Sequence, residues 1–270
     1  MKLFFKEMGV GQPIIILHGL YGSSDNWLTI ARMLSVDFRV IVPDLRNHGR
    51  SPHHREHSYP AMATDVLELM DDLNIEKCIL LGHSMGGKTA IHMALTAPHR
   101  ISKMIIVDIA PVNYSSLTVY STLIVEHLNI ADTLLHTDLQ QYSRLEDIER
   151  SWINNIPVVK IRRFLLKNIQ RFDKDHYCWK INIQAIVNNL PNILNGMDKF
   201  GLERKNKINI PTLFIKGELS PYIQPEMHSL IHDIFPCSQI VTIPKAGHWL
   251  HVEQPRIFLE EVIRFLSSSD

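Results

Sequence analysis

The sequence predicts an α/β fold, a mostly parallel sheet with helices on both faces and an inserted helical cap. Three observations lead there. Short runs over residues 13–17, 38–43, 78–81 and 104–107 are apolar throughout rather than alternating. Strands read this way when both faces of a parallel sheet are covered. Helical periodicity separates them, as at residues 60–73, where Met62, Val66, Leu69, Met70 and Leu73 share one side. The alternation then stops at Pro111 and resumes with strands at 211–216 and 239–243. The expected division is therefore a core of residues 1–111 and 208–270 with a cap over 112–207.

In chain order, a helix is expected around 27–34, another over 87–97 closed by Pro98, and a last one over 255–266. Within the cap the patterns predict helices over 116–128, 138–153, 157–169 and 183–190. Residues 172–181 carry a turn at Asp173-Lys174-Asp175, consistent with a small hairpin.

Bulk composition narrows the function classes. A chain of 270 residues with 45% hydrophobic residues supports one sizeable core. Basic and acidic residues balance at 28 each, so charge gives no footprint for nucleic acid or an acidic membrane. No apolar run approaches the ~20 residues of a membrane span. The N-terminal segment lacks the apolar stretch and cleavage site of a secretory signal. Cys78, Cys178 and Cys237 are far apart and odd in number, so a reduced cytoplasm is expected, with each thiol a small buried apolar group.

The chemistry centres on Gly82-His83-Ser84-Met85-Gly86, set between a strand and a helix. A serine so flanked is the pattern of a nucleophile elbow: the turn is strained, and side chains at the glycines would collide with neighbouring chain. The Met85 N–H opens the helix and points to the same place as the hydroxyl, which suits one half of an oxyanion hole. Leu20, in the His18-Gly19-Leu20 loop, can supply the second N–H. The same stretch also fits a phosphate-binding loop, Gly82-x4-Gly87-Lys88-Thr89. Such a loop usually follows a first strand, whereas two strands precede this one. His248, in Gly247-His248-Trp249 after the last strand, supplies the base a serine elbow needs. Lys88 is then a helix residue that packs or forms a salt bridge. Trp27 and Trp249 are expected to pack.

The acid of a triad is often a Gly-x-x-Asp after the strand that follows a cap. Here that position holds Ser220, in Gly217-Glu218-Leu219-Ser220-Pro221. Asp108, at the end of the preceding strand, emerges at the same sheet edge as Ser84 and is the expected acid; Glu218 is the rival. Asp108 could instead only cap its turn. His48, His53, His54 and His57 form a histidine-rich loop expected to be exposed, and no recognised ligand spacing supports a metal there. Lys160, Arg162, Arg163 and Lys167 read first as a solvated helix face, and more sharply as a site for a phosphate-bearing acyl carrier.

The stretches HGLYGSSDNW, PDLRNHGRSP, GHSMGGK, VDIAPV, GELSPYI and AGHW together resemble the α/β-hydrolase superfamily, and within it the bacterial YbfF-type esterases. The resemblance covers nearly the whole chain, with the cap its least recognisable part. It implies hydrolysis of carboxylic esters, with acyl-CoA thioesters also plausible as substrates, and no cofactor or metal. The expected protein is a cytoplasmic serine esterase acting on a small-molecule acyl ester or acyl-CoA. Carbon–carbon bond hydrolysis, a cofactor-free peroxidase, a non-catalytic ligand receptor on the same fold and a nucleotide hydrolase stay open as rivals.

Overall fold

The structure is a computed structural model and describes residues 1–114, 121–173, 176–195 and 207–268. The framework alternates strand and helix as the apolar runs require: β1 Phe5–Met8, β2 Gln12–Leu17, α1 Leu28–Leu34, β3 Phe38–Pro43, α2 Tyr59–Asp72, β4 Cys78–His83, α3 Met85–Thr96 and β5 Ile101–Val107. Then come α4 Ser121–Leu135, α5 Leu145–Ser151, α6 Val159–Leu166, β6 Ile169–Arg171, β7 Tyr177–Trp179 and α7 Ile183–Asn195. The chain closes with β8 Thr212–Gly217, α8 His228–Ile234, β9 Ser238–Ile243, α9 Leu250–Glu253 and α10 Pro255–Ser267.

The large sheet has the order β1-β3-β2-β4-β5-β8-β9. All its pairings are parallel except β1 with β3. Successive strand residues go to opposite cores. Ile15, Leu17, Leu80 and Ile106 pack with α2, α3 and α8 on one face. Ile14, Ile16, Ile79, Leu81 and Ile105 pack with α1 and α10 on the other. This two-sided burial is why the strands read as continuous apolar runs. The order reverses between β2, β3 and β4, and such a switch point leaves a crevice at the carboxyl ends of the strands.

Residues between β5 and β8 add no strand to the large sheet among those described. They build their own core from Ile130, Leu134, Ile148, Trp152, Leu165 and Ile186, joined by Tyr21 from the β2 side. Asn168 Nδ2 donates to Tyr21 O at 2.9 Å, and Asn182 N donates to Asn47 O at 2.9 Å, tying this layer to the sheet's loops.

Several boundaries differ from expectation. The helix expected over 116–128 starts outside the described residues, and α4 runs on to Leu135. The helix expected over 138–153 divides into a 3₁₀ turn, Leu139–Gln141, and α5. There the Asp138 side chain accepts from Gln140 N at 3.1 Å, and Tyr142 turns to extended backbone. Short acidic side chains compete with helix propagation in this way. The helix over 157–169 ends at Leu166, because Ile169 already pairs with Trp179. The hairpin is β6 with β7, and its turn residues 174–175 lie outside the described ones. Three elements lie where no strand or helix is expected: β1, a four-residue edge strand carrying Lys6 and Glu7, α8, and the one-turn α9.

Candidate active site

Ser84 joins β4 to α3 with φ 53° and ψ −115°. A non-glycine residue held there stores roughly 1–3 kcal/mol of strain. The surroundings explain why glycine flanks it: a Cβ on Gly82 would lie 2.4 Å from Gly86 O, and one on Gly86 2.3 Å from Leu17 O. The chain after β2 also passes close, since a Cβ on Gly19 would lie 2.8 Å from His83 Nδ1 and 3.3 Å from the Ser84 Cβ. Met85 is the first residue of α3, where the helix dipole presents its positive end. Leu20 and Met85 both border a small cavity of about 40 Å³ beside Ser84.

Asp108 leaves β5 with φ 51°, its N–H bonded to Ile215 O at 2.8 Å. Its side chain is fully buried. Oδ1 accepts from Gly217 N at 3.0 Å; Oδ2 accepts from Ser220 Oγ and lies 2.7 Å from His248 Nδ1. Three donors converge on one carboxylate, an arrangement that satisfies a buried charge and fixes its plane. Ser220 therefore occupies the place where an acid is often found and donates to the acid that comes from β5. Glu218 is exposed and accepts from Lys245 N at 2.7 Å, on the other side of this loop.

The His248 loop is anchored by main-chain contacts. Leu219 N donates to Ala246 O at 2.8 Å, and Gly247 N donates to Glu253 Oε2 at 2.9 Å. The His83 Nε2 lies 2.9 Å from His248 O. Burial, with nearby imidazoles, pushes the His83 pKa well below its ordinary value, so the ring is neutral. A carbonyl only accepts, so Nε2 carries the His83 proton. With Nδ1 of His248 on Asp108, its Nε2 is the nitrogen left for the cavity shared with Ser84.

That cavity holds about 250 Å³ and is mostly apolar, with Leu20, Ile130, Phe164, Leu165 and Trp249 in its walls. His127 and Tyr222 place polar atoms beside these. Trp27 is buried and stacks on His251 at 4.0 Å, while Trp249 is half-buried and forms a cavity wall with Phe164. Lys88 is buried one turn beyond Ser84, with Nζ 3.4 Å from Leu194 O and 4.9 Å from the Tyr114 ring centre.

Three expectations need correction. In the histidine-rich loop only His53 and His54 are exposed; His48 and His57 are fully buried. His48 Nε2 accepts from Tyr21 N at 3.1 Å and its Nδ1 lies 3.0 Å from Arg46 O, while His18 Nε2 accepts from Leu45 N at 2.9 Å. His48, folded inward by the short PDLRNHG turn, holds the chain beside Leu20, and His18 holds the turn after β3. In the basic stretch, Arg162 is buried and donates to Ile156 O and Pro157 O at 2.8 and 2.9 Å. Lys160, Arg163 and Lys167 are exposed, as a solvated face requires, and border a second cavity of about 320 Å³ that shares Phe164 and Trp249 with the first. Of the cysteines only Cys78 is buried; Cys178 is half-buried and Cys237 exposed. Burial raises the Cys78 thiol to about 12, which makes it inert.

Sequence reasoning assigns no task to Ser220, Tyr222, His83 or His127 individually. Ser220-Pro221-Tyr222 is visible as a motif, but its contacts across the fold are not. His127 lies in the least recognisable segment.

A profile of the alpha/beta hydrolase fold matches residues 12–255. An sn-1-specific diacylglycerol lipase from Danio rerio is 35% identical, over 97% of this chain and 80% of its own. The esterase YbfF from Escherichia coli strain K12 is 33% identical, over 94% of this chain and 93% of its own. Among solved structures, a marine microorganism esterase superposes with a TM-score of 0.90 at 43% identity, covering 98% of this chain and 99% of that one.

Proposed function

We propose, from the premise that this chain belongs to the alpha/beta hydrolase fold family, that it is a serine ester hydrolase acting through Ser84, His248 and Asp108. The carrying observation is the 2.7 Å contact of His248 Nδ1 with a fully buried Asp108 carboxylate, at the wall of the cavity that holds Ser84. Asp108 fixes the tautomer with the proton on Nδ1, so Nε2 presents its lone pair. Nε2 takes the Ser84 proton as Oγ bonds to the acyl carbon. The N–H groups of Leu20 and Met85 hold the oxyanion that forms. The tetrahedral intermediate collapses, His248 returns the proton to the leaving oxygen or sulfur, and an acyl-enzyme remains. Water then gives its proton to Nε2 and attacks the acyl carbon; Ser84 regains a proton as the acid departs. Each group needed is supplied by the chain itself, and no step calls on a cofactor or metal.

Residues 112–207 act as the cap, and their apolar wall over Ser84 selects the acyl group. The substrate is a small-molecule acyl ester. An acyl-CoA thioester is the finer reading, supported by Lys160, Arg163 and Lys167 around the adjoining cavity, where they outnumber the one carboxylate, Glu253, 4.0 Å from Lys160 Nζ, and suit phosphate. No helix among the described residues is long and apolar enough to cross a membrane. Three unpaired cysteines support a reducing cytoplasm.

A panel of p-nitrophenyl esters and acyl-CoA thioesters of graded length tests this. Turnover of p-nitrophenyl acetate that vanishes in Ser84→Ala is expected. Absence of turnover across the whole panel would support a ligand receptor instead. If coenzyme A is the leaving group, Arg163→Gln with Lys167→Gln raises KM for thioesters and leaves simple esters unchanged.

A further inference from the structure

Tyr222 closes the Ser220-Pro221-Tyr222 segment, of which the mechanism above uses only the serine. Its ring stacks on the His248 imidazole, with centroids 4.1 Å apart and planes 27° apart. Asp108 holds that imidazole at one atom only. One hydrogen bond and a tilted contact with the His83 ring, centroids 4.6 Å and planes 42° apart, still leave the ring room to rock about its Cβ–Cγ bond, which would swing Nε2 across the cavity. An aromatic face in van der Waals contact removes much of that freedom, and it also favours the imidazolium formed when the base takes a proton.

Tyr222 is itself held from two sides. From the core, its carbonyl accepts from Tyr114 Oη at 2.6 Å and its N–H donates to Ser220 Oγ at 3.4 Å. From α4, His127 Nε2 is hydrogen-bonded to the Tyr222 hydroxyl at 3.0 Å. Burial lowers the His127 pKa to about 4, so this link stays neutral and intact near pH 7. Among the described residues the other His127 nitrogen, Nδ1, is buried without a partner. The hydroxyl of Tyr222 is thus the polar contact that fixes this histidine.

We propose that Tyr222 is a positioning residue for His248 and that His127 on α4 tethers it. The layer above the sheet then orients the base as well as enclosing the substrate. This inference rests on the reading of His248 as the base that activates Ser84.

The test is the rate at which a small fluorophosphonate modifies Ser84, measured beside steady-state hydrolysis of p-nitrophenyl acetate and the melting temperature. The probe carries no long acyl chain to pack on the apolar wall, so loss of wall contact alone should change its rate far less than loss of the base's position. In Tyr222→Leu, both the labelling rate and kcat should fall about tenfold or more, the scale that slight misplacement of a reacting group produces. KM for the acetate should move far less. Tyr222→Phe keeps the aromatic face and loses only the tether, so it should recover most of that loss. His127→Leu should match Tyr222→Phe. The double variant should be no slower than the slower single, because both delete one hydrogen bond. If Tyr222→Leu does not fold, Tyr222→Met, which fills the space without an aromatic face, takes its place, and the Phe and His127 variants test the tether. Wild-type labelling in Tyr222→Leu with a raised KM makes Tyr222 only a cavity wall and overturns the proposal. Additive losses in the double variant overturn the tether. If Ser84→Ala still turns over the acetate, the underlying triad reading fails instead, whatever Tyr222 does.

Discussion

At the residue scale, the site depends on two residues held at positive φ, Ser84 at 53° and Asp108 at 51°. Each ends a strand of the same sheet, β4 and β5, and turns its side chain out at the carboxyl edge. Asp108→Asn keeps the shape and loses the charge and the tautomer control, so kcat should drop by up to ~10⁴-fold with the fold unchanged. Glu218→Gln removes an exposed acceptor for Lys245 N–H and should leave kcat within a few fold. The reverse ranking in steady-state kinetics would make Glu218 the acid. Ser220→Ala deletes one of three donors to the Asp108 carboxylate, a loss of about 1–3 kcal/mol for a charged hydrogen bond. Its effect should be smaller than that of Asp108→Asn. Ser84 and His248 stand out in the sequence because glycines and strand ends mark them. Asp108 is marked only by its strand and by the serine where an acid is often found. Ser220's task is not legible at all, because a serine that donates to an acid 112 positions away leaves no local pattern.

At the scale of elements, the strands and the helices of the sheet were legible because two-sided burial gives unbroken apolar runs. The layer between β5 and β8 was less so. Two of its helices, α5 and α6, are only seven and eight residues long, and local side-chain capping and the β6–β7 pairing limit them. β1 escaped notice because an antiparallel edge strand needs little apolar sequence. α2 shows how an element is fixed against a functional loop. Arg46, from the loop after β3, makes a paired contact with Asp65 of α2 at 2.6 and 2.9 Å, and both side chains are buried. Asp65→Ala leaves the buried guanidinium with only the exposed Glu56 carboxylate, 3.6 Å from Nη1, so it should cost up to about 3–5 kcal/mol in chemical denaturation. A loss below about 1 kcal/mol would mean that water reaches the guanidinium. Above the sheet, trimming or exchanging α4–α6 should shift acyl chain preference while Ser84 still reacts with a small probe. An unchanged preference in a folded variant would separate this layer from substrate choice.

On the scale of the whole molecule, neutral imidazoles pack among the loops at the carboxyl edge of the sheet. His18, His48, His57, His83 and His251 are at most 4% exposed. Burial pushes each below the ordinary 6.5, to about 3 for His57 and His251. The unfolded chain takes up protons near pH 6.5 that the native state refuses. The stability these groups contribute is therefore complete above about pH 6.5. It is lost progressively as pH falls toward 3, at up to ~1.4 kcal/mol per pH unit for each group. The melting temperature should decline steeply between pH 6.5 and 4, and a flat profile there would show that the histidines protonate without unfolding. The central claim is that Ser84 is the nucleophile of a hydrolase. Its most direct test is mass spectrometry of the protein after reaction with a fluorophosphonate. The mechanism predicts one adduct on the peptide carrying Ser84, slowed in Asp108→Asn and absent in Ser84→Ala. Labelling that persists in Ser84→Ala, or that falls on another residue of the wild type, would contradict it.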